Sequence, residues 1–207
     1  MKILVTAGPT REPIDPVRYL TNRSSGKMGY AVADAAIHAG HSVLLISGPT
    51  SINVPAGVDF ISVETAAEMY SAVAAYLPRM DAAIFTAAVV DYTPASPALQ
   101  KIKKSGESLT LELVKTKDIL GLARGEMGFT GFLIGFAAET ENIEANARLK
   151  LAAKGCDLIV ANDVSRSDIG FDVYENEAVL VFPDRTELFP KASKHDLAIR
   201  IVSILGE

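Results

Sequence analysis

A chain of 207 residues with 49% hydrophobic side chains has enough apolar material for one sizeable core, so this is a globular protein. Its net charge of −5 argues against a general nucleic-acid binder, while leaving room for a local basic site that takes a small anion. The one cysteine, Cys156, excludes an internal disulfide, nothing resembles a Cys/His metal cluster, and no apolar run approaches the roughly 18 residues that span a bilayer. Met1 leads straight into the strand-like KILVTAG with no cationic leader, so a soluble protein of the reducing cytoplasm, with no membrane partner, is expected.

In chain order, KILVTA reads as a first buried strand. An alanine-rich helix is expected over 29–39, ending at Gly40. SVLLIS and VDFISV are strands, and 65–77 is a helix that opens with the capping-box pattern Thr65-x-x-Glu68 and stops before Pro78. AAIFTAA is a further strand. The Pro/Ser/Lys-rich stretch from Tyr92 to Ser108 has no apolar periodicity and reads as a long loop, of the kind that forms lids and binding flaps. SLTLELVK alternates with period two. FLIGFAA and DLIVAND are strands on either side of a helix at 142–154 closed by Gly155, and EAVLVFPDRTELF reads as a hairpin turning at Pro183-Asp184-Arg185. This alternation predicts an α/β fold: a mainly parallel sheet covered on both faces by helices, with antiparallel pieces extending it or forming a small subdomain. One domain over 1–207 is expected, with a flexible lysine-bearing flap at about 93–108.

In open α/β sheets ligands collect beyond the carboxyl ends of the strands. Here those ends read TAGPTREPIDP, SGP, TAAVVDY, GFAAET and VANDV: small residues that admit a ligand to the backbone, mixed with a few polar side chains. The dinucleotide fingerprint fails, because Gly8-Pro9-Thr10-Arg11 follows the first strand and Ser47 replaces the acid after the second. The Walker loop fails too, since Met28 follows Gly26-Lys27 and Thr21 stands where its first glycine belongs. The physics behind both survives. SSGKMG places Ser24, Ser25, the Gly26 backbone and Lys27 at a helix N-terminus, where free N–H groups and the helix dipole favour a phosphate. Arg11, Arg18, Arg23 and Lys27 outnumber Glu12 and Asp15 in this loop. Lys101, Lys103 and Lys104 form a second cationic cluster in the long loop, able to close over a polyphosphate. Lys150 and Lys154, four apart, share one helix face. Asp91, Glu139 and Asp163 follow strands and suit sugar hydroxyls or Mg²⁺, with Asp91 first because it adjoins the lysine loop. No G-x-S-x-G elbow is present, and Cys156 reads as a small buried thiol.

The blocks TAGPTREPIDPVRYLTNRSSGKMG, SGP, AAVVDY, KIKK, GFAAET and VANDV, in this order over most of the chain, resemble the phosphopantothenoylcysteine synthetase family of coenzyme A biosynthesis. In many bacteria that domain is the C-terminal half of a bifunctional protein whose other half is a flavin-dependent decarboxylase, so the chain is either a stand-alone synthetase or an excised domain. The resemblance implies a Rossmann-like, usually homodimeric ligase. It joins 4′-phosphopantothenate to L-cysteine using CTP, or ATP in the eukaryotic type, with Mg²⁺, through an acyl-cytidylate. By matching motif positions it implies catalytic roles for Asn22, whose amide donates to the acyl oxygen, and for Lys101 on the flap. The nucleotide side would be formed by Thr86, Ala87, Ala88, Asp91, Lys117, Asp118, Phe136, Lys150 and Lys154, with Asp91 on Mg²⁺. Gly8, Arg11, Asn22 and Ser24 to Lys27 would line the same cleft. The family commonly has proline before the aspartate of KTKDIL, where this chain has Lys117. A short-chain NAD(P) oxidoreductase would need Y-x-x-x-K, which none of the six tyrosines provides. A non-catalytic nucleotide- or flavin-binding module remains the other reading, because fold alone does not establish activity.

Overall fold

The apolar runs become the centre of a large sheet. The structure, a computed structural model, describes residues 1–104, 106–163, 165 and 175–207; Val164 of the VANDV block and Ser105 of the long loop lie outside them. In chain order the elements are β1 (Lys2–Ala7), β2 (Arg11–Pro13), β3 (Tyr19–Thr21), α1 (Lys27–His38), β4 (Ser42–Ser47), β5 (Asp59–Ser62), α2 (Ala66–Tyr76) and β6 (Ala82–Phe85). There follow β7 (Tyr92–Pro94), β8 (Leu113–Lys115), α3 (Ile119–Leu122), β9 (Phe132–Glu139), α4 (Ile143–Lys154), β10 (Leu158–Asp163), β11 (Glu175–Val181), β12 (Thr186–Ser193) and α5 (Lys194–Ile204). The main sheet runs β12-β11-β10-β9-β6-β1-β4-β5. Its pairs from β5 through β10 are parallel, and the β11–β12 hairpin adds on antiparallel.

Because side chains alternate along a strand, each strand feeds two cores. Ile3, Val5, Leu45, Ile84 and Val160 pack on one face beneath α1 and α5. Leu4, Leu44, Ile46, Leu133 and Ile159 pack on the other beneath α2 and α4. The predicted three-layer, mainly parallel α/β fold with an antiparallel hairpin is what forms.

Helix α2 starts where the capping box places it. Thr65 Oγ1 accepts from the Glu68 N–H at 3.2 Å, and Glu68 Oε2 accepts from the Thr65 N–H, also at 3.2 Å. Glu12, only 3% exposed, takes the Ala66 N–H at 2.8 Å. Thr65→Ala is expected to cost about 1 kcal/mol, read as a lower urea midpoint, with Thr65→Ser restoring it.

Three sequence expectations need correction. Helix α1 begins at Lys27, two positions before 29, because Gly26 supplies a left-handed turn (φ 80°) that starts it. Only Leu113–Lys115 of SLTLELVK is strand, and it pairs not with the main sheet but with Tyr92–Pro94. All three β8 residues are exposed, so this alternation buries no face. The stretch from Tyr92 therefore starts as one side of a two-stranded arm, clasped by Ala95 N–H to Glu112 O at 2.9 Å and Thr116 N–H to Asp91 O at 2.9 Å. Finally, α5 was not anticipated, although Ser193-x-x-Asp196 precedes its apolar stripe. Ser193 caps it by accepting the Asp196 N–H at 3.1 Å, and Leu197, Ala198, Ile201 and Val202 are buried.

Candidate active site

The carboxyl ends of β1, β6, β9 and β10, together with the start of β11, open into one cleft of about 1000 Å³. Its position follows from topology, since parallel strands deliver all their following loops to one edge. Strand β6 stops at Phe85. Beyond it the backbone is held by Thr86 N–H to Thr6 O (3.2 Å), Ala87 N–H to Thr6 Oγ1 (3.3 Å) and Ala88 N–H to Gly8 O (2.9 Å). Thr86, Ala87 and Ala88 thus form a floor of small residues along the cleft, joined by Asp91.

The α1 entrance forms one wall. The helix has no side-chain cap and no acid in its first turn, so its leading N–H groups and dipole are directed at whatever occupies the cleft. Ser24 Oγ accepts the Gly26 N–H at 3.3 Å, and Asn22, Arg23, Ser24, Ser25, Gly26 and Lys27 all line the space. The helix approaches closely because of Gly29, where a Cβ would lie 2.4 Å from Thr86 Oγ1 and 2.5 Å from the Ala7 Cβ. Asn22 is exposed and oriented by its own donors, with Nδ2 at 3.2 Å from both Ala88 O and Val89 O. Gly8 (φ 69°) lies beneath Gly26 instead of on the cleft surface. Arg11 lines a shallower recess that shares Asn22 to Ser25 with the main cleft, and its guanidinium stacks 4.6 Å from the Tyr19 ring.

The arginines of this loop divide. Arg18 is committed to the buried Asp15, with Nε at 3.0 Å and a terminal nitrogen at 2.5 Å from Oδ2. Asp15 also accepts the Val17, Arg18 and Ile102 N–H groups at 2.9, 2.8 and 3.1 Å, while Arg18 donates to Ile102 O at 3.1 Å. The lysine loop is thereby tied to the β2–β3 turn, and Lys101 next to that tie is exposed and outside the cleft lining. Lys103 and Lys104 are exposed too. Arg18 first, and then the backbone N–H groups, hold the Asp15 pKa far below the ordinary carboxylate value against the opposing effect of burial. A lowered folded pKa means the stabilisation is complete above the unfolded value of about 3.9 and is lost as pH falls through the folded one. Urea midpoints are therefore expected to fall more steeply below about pH 4 in the wild type than in Asp15→Asn, with no divergence in slope between about pH 6 and 8.

The opposite wall comes from α3 and α4. Lys150 is half-buried, and its Nζ donates to Phe136 O at 2.7 Å. Burial lowers its pKa, the nearby Glu139 charge acting in the opposite sense. Lys154 pairs with Asp118, which also caps α3 by accepting the Gly121 N–H at 2.9 Å. Burial pushes the Asp118 pKa up, but the hydrogen bond from Lys154, the Gly121 N–H and the charges of both lysines outweigh it, so the carboxyl is held below its usual value. Lys117 sits over the Tyr70 ring at 3.7 Å and 3.5 Å from Glu126, at the cleft rim. Lys117, Asp118, Phe136, Lys150 and Lys154 are thus brought together with Thr86 to Ala88, Asp91 and the α1 entrance.

Among the lining residues that sequence reasoning missed are Asn162, Asn176 and Lys194. Asn162 stood within VAND, but the other two arrive on the antiparallel strand β11 and the unanticipated α5. Cys156 is buried as expected, its thiol pushed up to about 12 by burial, which removes it as a nucleophile at neutral pH. Among the described residues no cluster of three or more His, Cys, Asp or Glu side chains is poised to hold a metal. Mg²⁺ needs no such cage, taking one or two carboxylates and completing its shell with phosphates and water, a donor set that Asp91 fits. No helix among the described residues is long and apolar enough to cross a membrane.

All of residues 1–207 match the family described as the DNA/pantothenate metabolism flavoprotein C-terminal domain. The chain belongs to that family. The resemblance read from its motifs is borne out. It is 48% identical over 202 residues to the coenzyme A biosynthesis bifunctional protein CoaBC of Vibrio vulnificus, covering 97% of this chain and 50% of that protein. To CoaBC of Bacillus subtilis it is 49% identical over 203 residues, with coverages of 97% and 50%. The chain therefore spans about half the length of these relatives. A crystal structure of the C-terminal domain of a CoaBC protein superposes with a TM-score of 0.82 at 41% identity, covering 99% of this chain and 93% of that one. The DNA/pantothenate metabolism flavoprotein of Streptococcus pneumoniae gives 0.85 at 27% identity, with 100% and 98% covered.

Proposed function

We propose that this chain is a ligase that joins 4′-phosphopantothenate to L-cysteine in coenzyme A biosynthesis, with CTP, or ATP in its place, as the activating nucleotide. The observation that carries the reading is the pairing of two cationic walls across one cleft: the uncapped α1 entrance with Lys27 on one side, Lys150 and Lys154 on the other. A carboxylate and a triphosphate repel each other, and such walls are what lets them meet. Membership of a family whose relatives are named for coenzyme A biosynthesis favours this chemistry over a non-catalytic binding module.

In the first step a carboxylate oxygen of 4′-phosphopantothenate attacks the α-phosphate, forming the acyl-cytidylate and expelling pyrophosphate. In the second the cysteine amine attacks the acyl carbon, the amide C–N bond forms, and CMP leaves with the bridging oxygen. Asn22 holds the acyl oxygen, which replaces one of the carbonyls now accepting from its Nδ2. Ser24, Ser25 and the Gly26 backbone receive phosphate oxygens, while Lys150 and Lys154 face the nucleotide. Lys101 reaches the transferring charge when the arm beyond β7 closes, excluding water. Mg²⁺ held by Asp91 and the phosphates would supply further charge neutralisation. The 1–207 unit works as one synthetase domain in a cytoplasmic homodimer, alongside a flavin-dependent decarboxylase that fills the remainder of the bifunctional relatives.

The test is to incubate the purified protein with 4′-phosphopantothenate, Mg²⁺ and either CTP or ATP, with and without L-cysteine, and to identify the products by mass. The expected result is 4′-phosphopantothenoylcysteine only when both nucleotide and cysteine are present. Folded protein that yields neither product nor nucleoside monophosphate would rule the ligase out.

A further inference from the structure

Beneath the α1 entrance lies a contact that the scheme above does not use. Gly8 and Gly26 both hold left-handed backbone, at φ 69° and 80°, and they pack on each other: a Cβ on Gly26 would lie 3.3 Å from the Gly8 Cα. Glycine populates that conformation no more readily than several others, so neither residue keeps the turn in place by itself. The γ-methyl of Thr50 is wedged against both. It would fall 2.9 Å from a Cβ on Gly8 and 2.7 Å from one on Gly26, so it fills the notch that the two missing side chains leave.

The Thr50 hydroxyl aims that methyl. Thr50 Oγ1 donates to the Tyr30 hydroxyl at 3.1 Å and accepts the Ile52 N–H at 3.3 Å, which holds the side chain in one rotamer. The chain of hydroxyls continues inward. Tyr30, 5% exposed, donates to Ser47 Oγ at 3.3 Å, and the buried Ser47 donates to Gly48 O at 2.8 Å. The Tyr30 N–H also bonds to Gly26 O at 3.2 Å, at the start of the helix ladder. Gly26, Tyr30 and Thr50 thus close a ring made of one backbone bond, one hydroxyl bond and one packed methyl. Thr50 is half-buried and lines the shallower recess with Arg11 instead of the cleft, so it acts on an occupant of the cleft only through the loop it supports.

We propose that Thr50 is a positioning residue for phosphate binding: its methyl locks the Gly8–Gly26 turn, so that Ser24, Ser25 and the leading N–H groups of α1 face a phosphate already in register. Donors arranged in advance spare the bound state the ordering of a flexible loop, which raises affinity without adding a contact. The inference rests on the ligase reading and deepens it, since the phosphate is then that of the nucleotide or of 4′-phosphopantothenate.

Three variants separate methyl, hydroxyl and bulk stability. Thr50→Ser keeps the hydroxyl and removes the methyl. Thr50→Val removes the hydroxyl, and its branched shape keeps a methyl on the glycines. Ile3→Val deletes one buried carbon at the end of β1 away from the cleft. Kd for CTP, ATP, inorganic pyrophosphate and 4′-phosphopantothenate is measured by calorimetry, and KM for cysteine from product formation. Thr50→Ser is expected to weaken binding by about 10-fold for the phosphate carrier that the turn receives, with KM for cysteine within about 2-fold of wild type. The nucleotide and 4′-phosphopantothenate arms tell which phosphate that is. Thr50→Val should bind within about 3-fold of wild type, and Ile3→Val should lower the urea midpoint and leave every Kd within about 2-fold. Unchanged affinity of Thr50→Ser for all four ligands, an equal loss in Thr50→Val, or a loss matched by Ile3→Val would overturn the proposal. If Thr50→Ser does not fold, the ligand-free wild type decides: backbone NMR order parameters of about 0.85 are expected at Gly8 and Gly26, and values below about 0.6 would overturn it. Weakened phosphate binding by Thr50→Ser in a protein that makes no amide would sink the ligase reading and spare this one; amide formation with Thr50→Ser equal to wild type in every arm would do the reverse.

Discussion

Replacing Gly48 with alanine is expected to destabilise the protein by about 3 kcal/mol and to disable the cleft, at the upper end of what overpacking costs. A Cβ at Gly48 would fall 1.8 Å from Pro9 O and 2.7 Å from Pro9 C, atoms of a backbone that cannot rotate away. The Pro9 segment is pinned from the far side, with a bridge between Pro9 and Ala88 and the Thr10 N–H at 3.3 Å from Ala88 O. Displacing it moves Thr10, whose Oγ1 takes the Val90 N–H at 3.0 Å and whose carbonyl takes the Thr21 hydroxyl at 2.8 Å, one residue before Asn22. Gly125→Ala is the control, because a Cβ there meets nothing within 4 Å. Urea denaturation should separate the two variants clearly, and a Gly48→Ala protein as stable as Gly125→Ala would show that this close approach is not what holds the β1 and β4 loops together.

Asn22→Asp is expected to lower the rate of amide formation by about 100- to 1000-fold, the scale seen when a donor to a developing oxyanion is removed. The change is nearly isosteric but turns a donor into an acceptor. Nδ2 now sits at 3.2 Å from Ala88 O and Val89 O, so a carboxylate there would oppose two carbonyls and any incoming acyl oxygen. Asn22 is exposed and on a loop, so the thermal midpoint should stay within about 2 °C, as for surface substitutions generally. Turnover within about 3-fold of wild type in the folded variant would remove Asn22 from the acyl-holding role.

The parallel layers were legible in the sequence because each strand was a short apolar run bounded by Gly, Pro or polar residues, and because the capping box at Thr65 marks α2 by local chemistry alone. The cleft's position followed from the same alternation, since strand ends such as TAAVVDY and GFAAET must gather at one edge. What escaped was non-local. SLTLELVK carries the period of a strand, but its partner is a three-residue stretch about twenty positions earlier, and no main-sheet edge receives it. Asn176 and Lys194 reach the cleft only because the β11–β12 hairpin reverses beside β10 and returns α5 to the α1 face. The charge count around the first loop was also misleading: Arg18 is spent on Asp15, a pairing that three-residue spacing permits but does not dictate. Its consequence is that the lysine loop begins from a tethered position, with Lys101 outside the lining beside the tied Ile102.

The most direct test of the proposed chemistry follows one oxygen atom. With 4′-phosphopantothenate labelled with ¹⁸O in its carboxylate, attack on the α-phosphate and departure of the nucleotide leave one labelled oxygen in the released CMP or AMP, detected by mass spectrometry. That is the result expected here. Label appearing in inorganic phosphate would mean that the γ-phosphate is attacked, and amide formation with label in neither product would mean that the carboxylate is not activated by phosphoryl or nucleotidyl transfer at all; either outcome would contradict the acyl-nucleotide route assigned to this cleft.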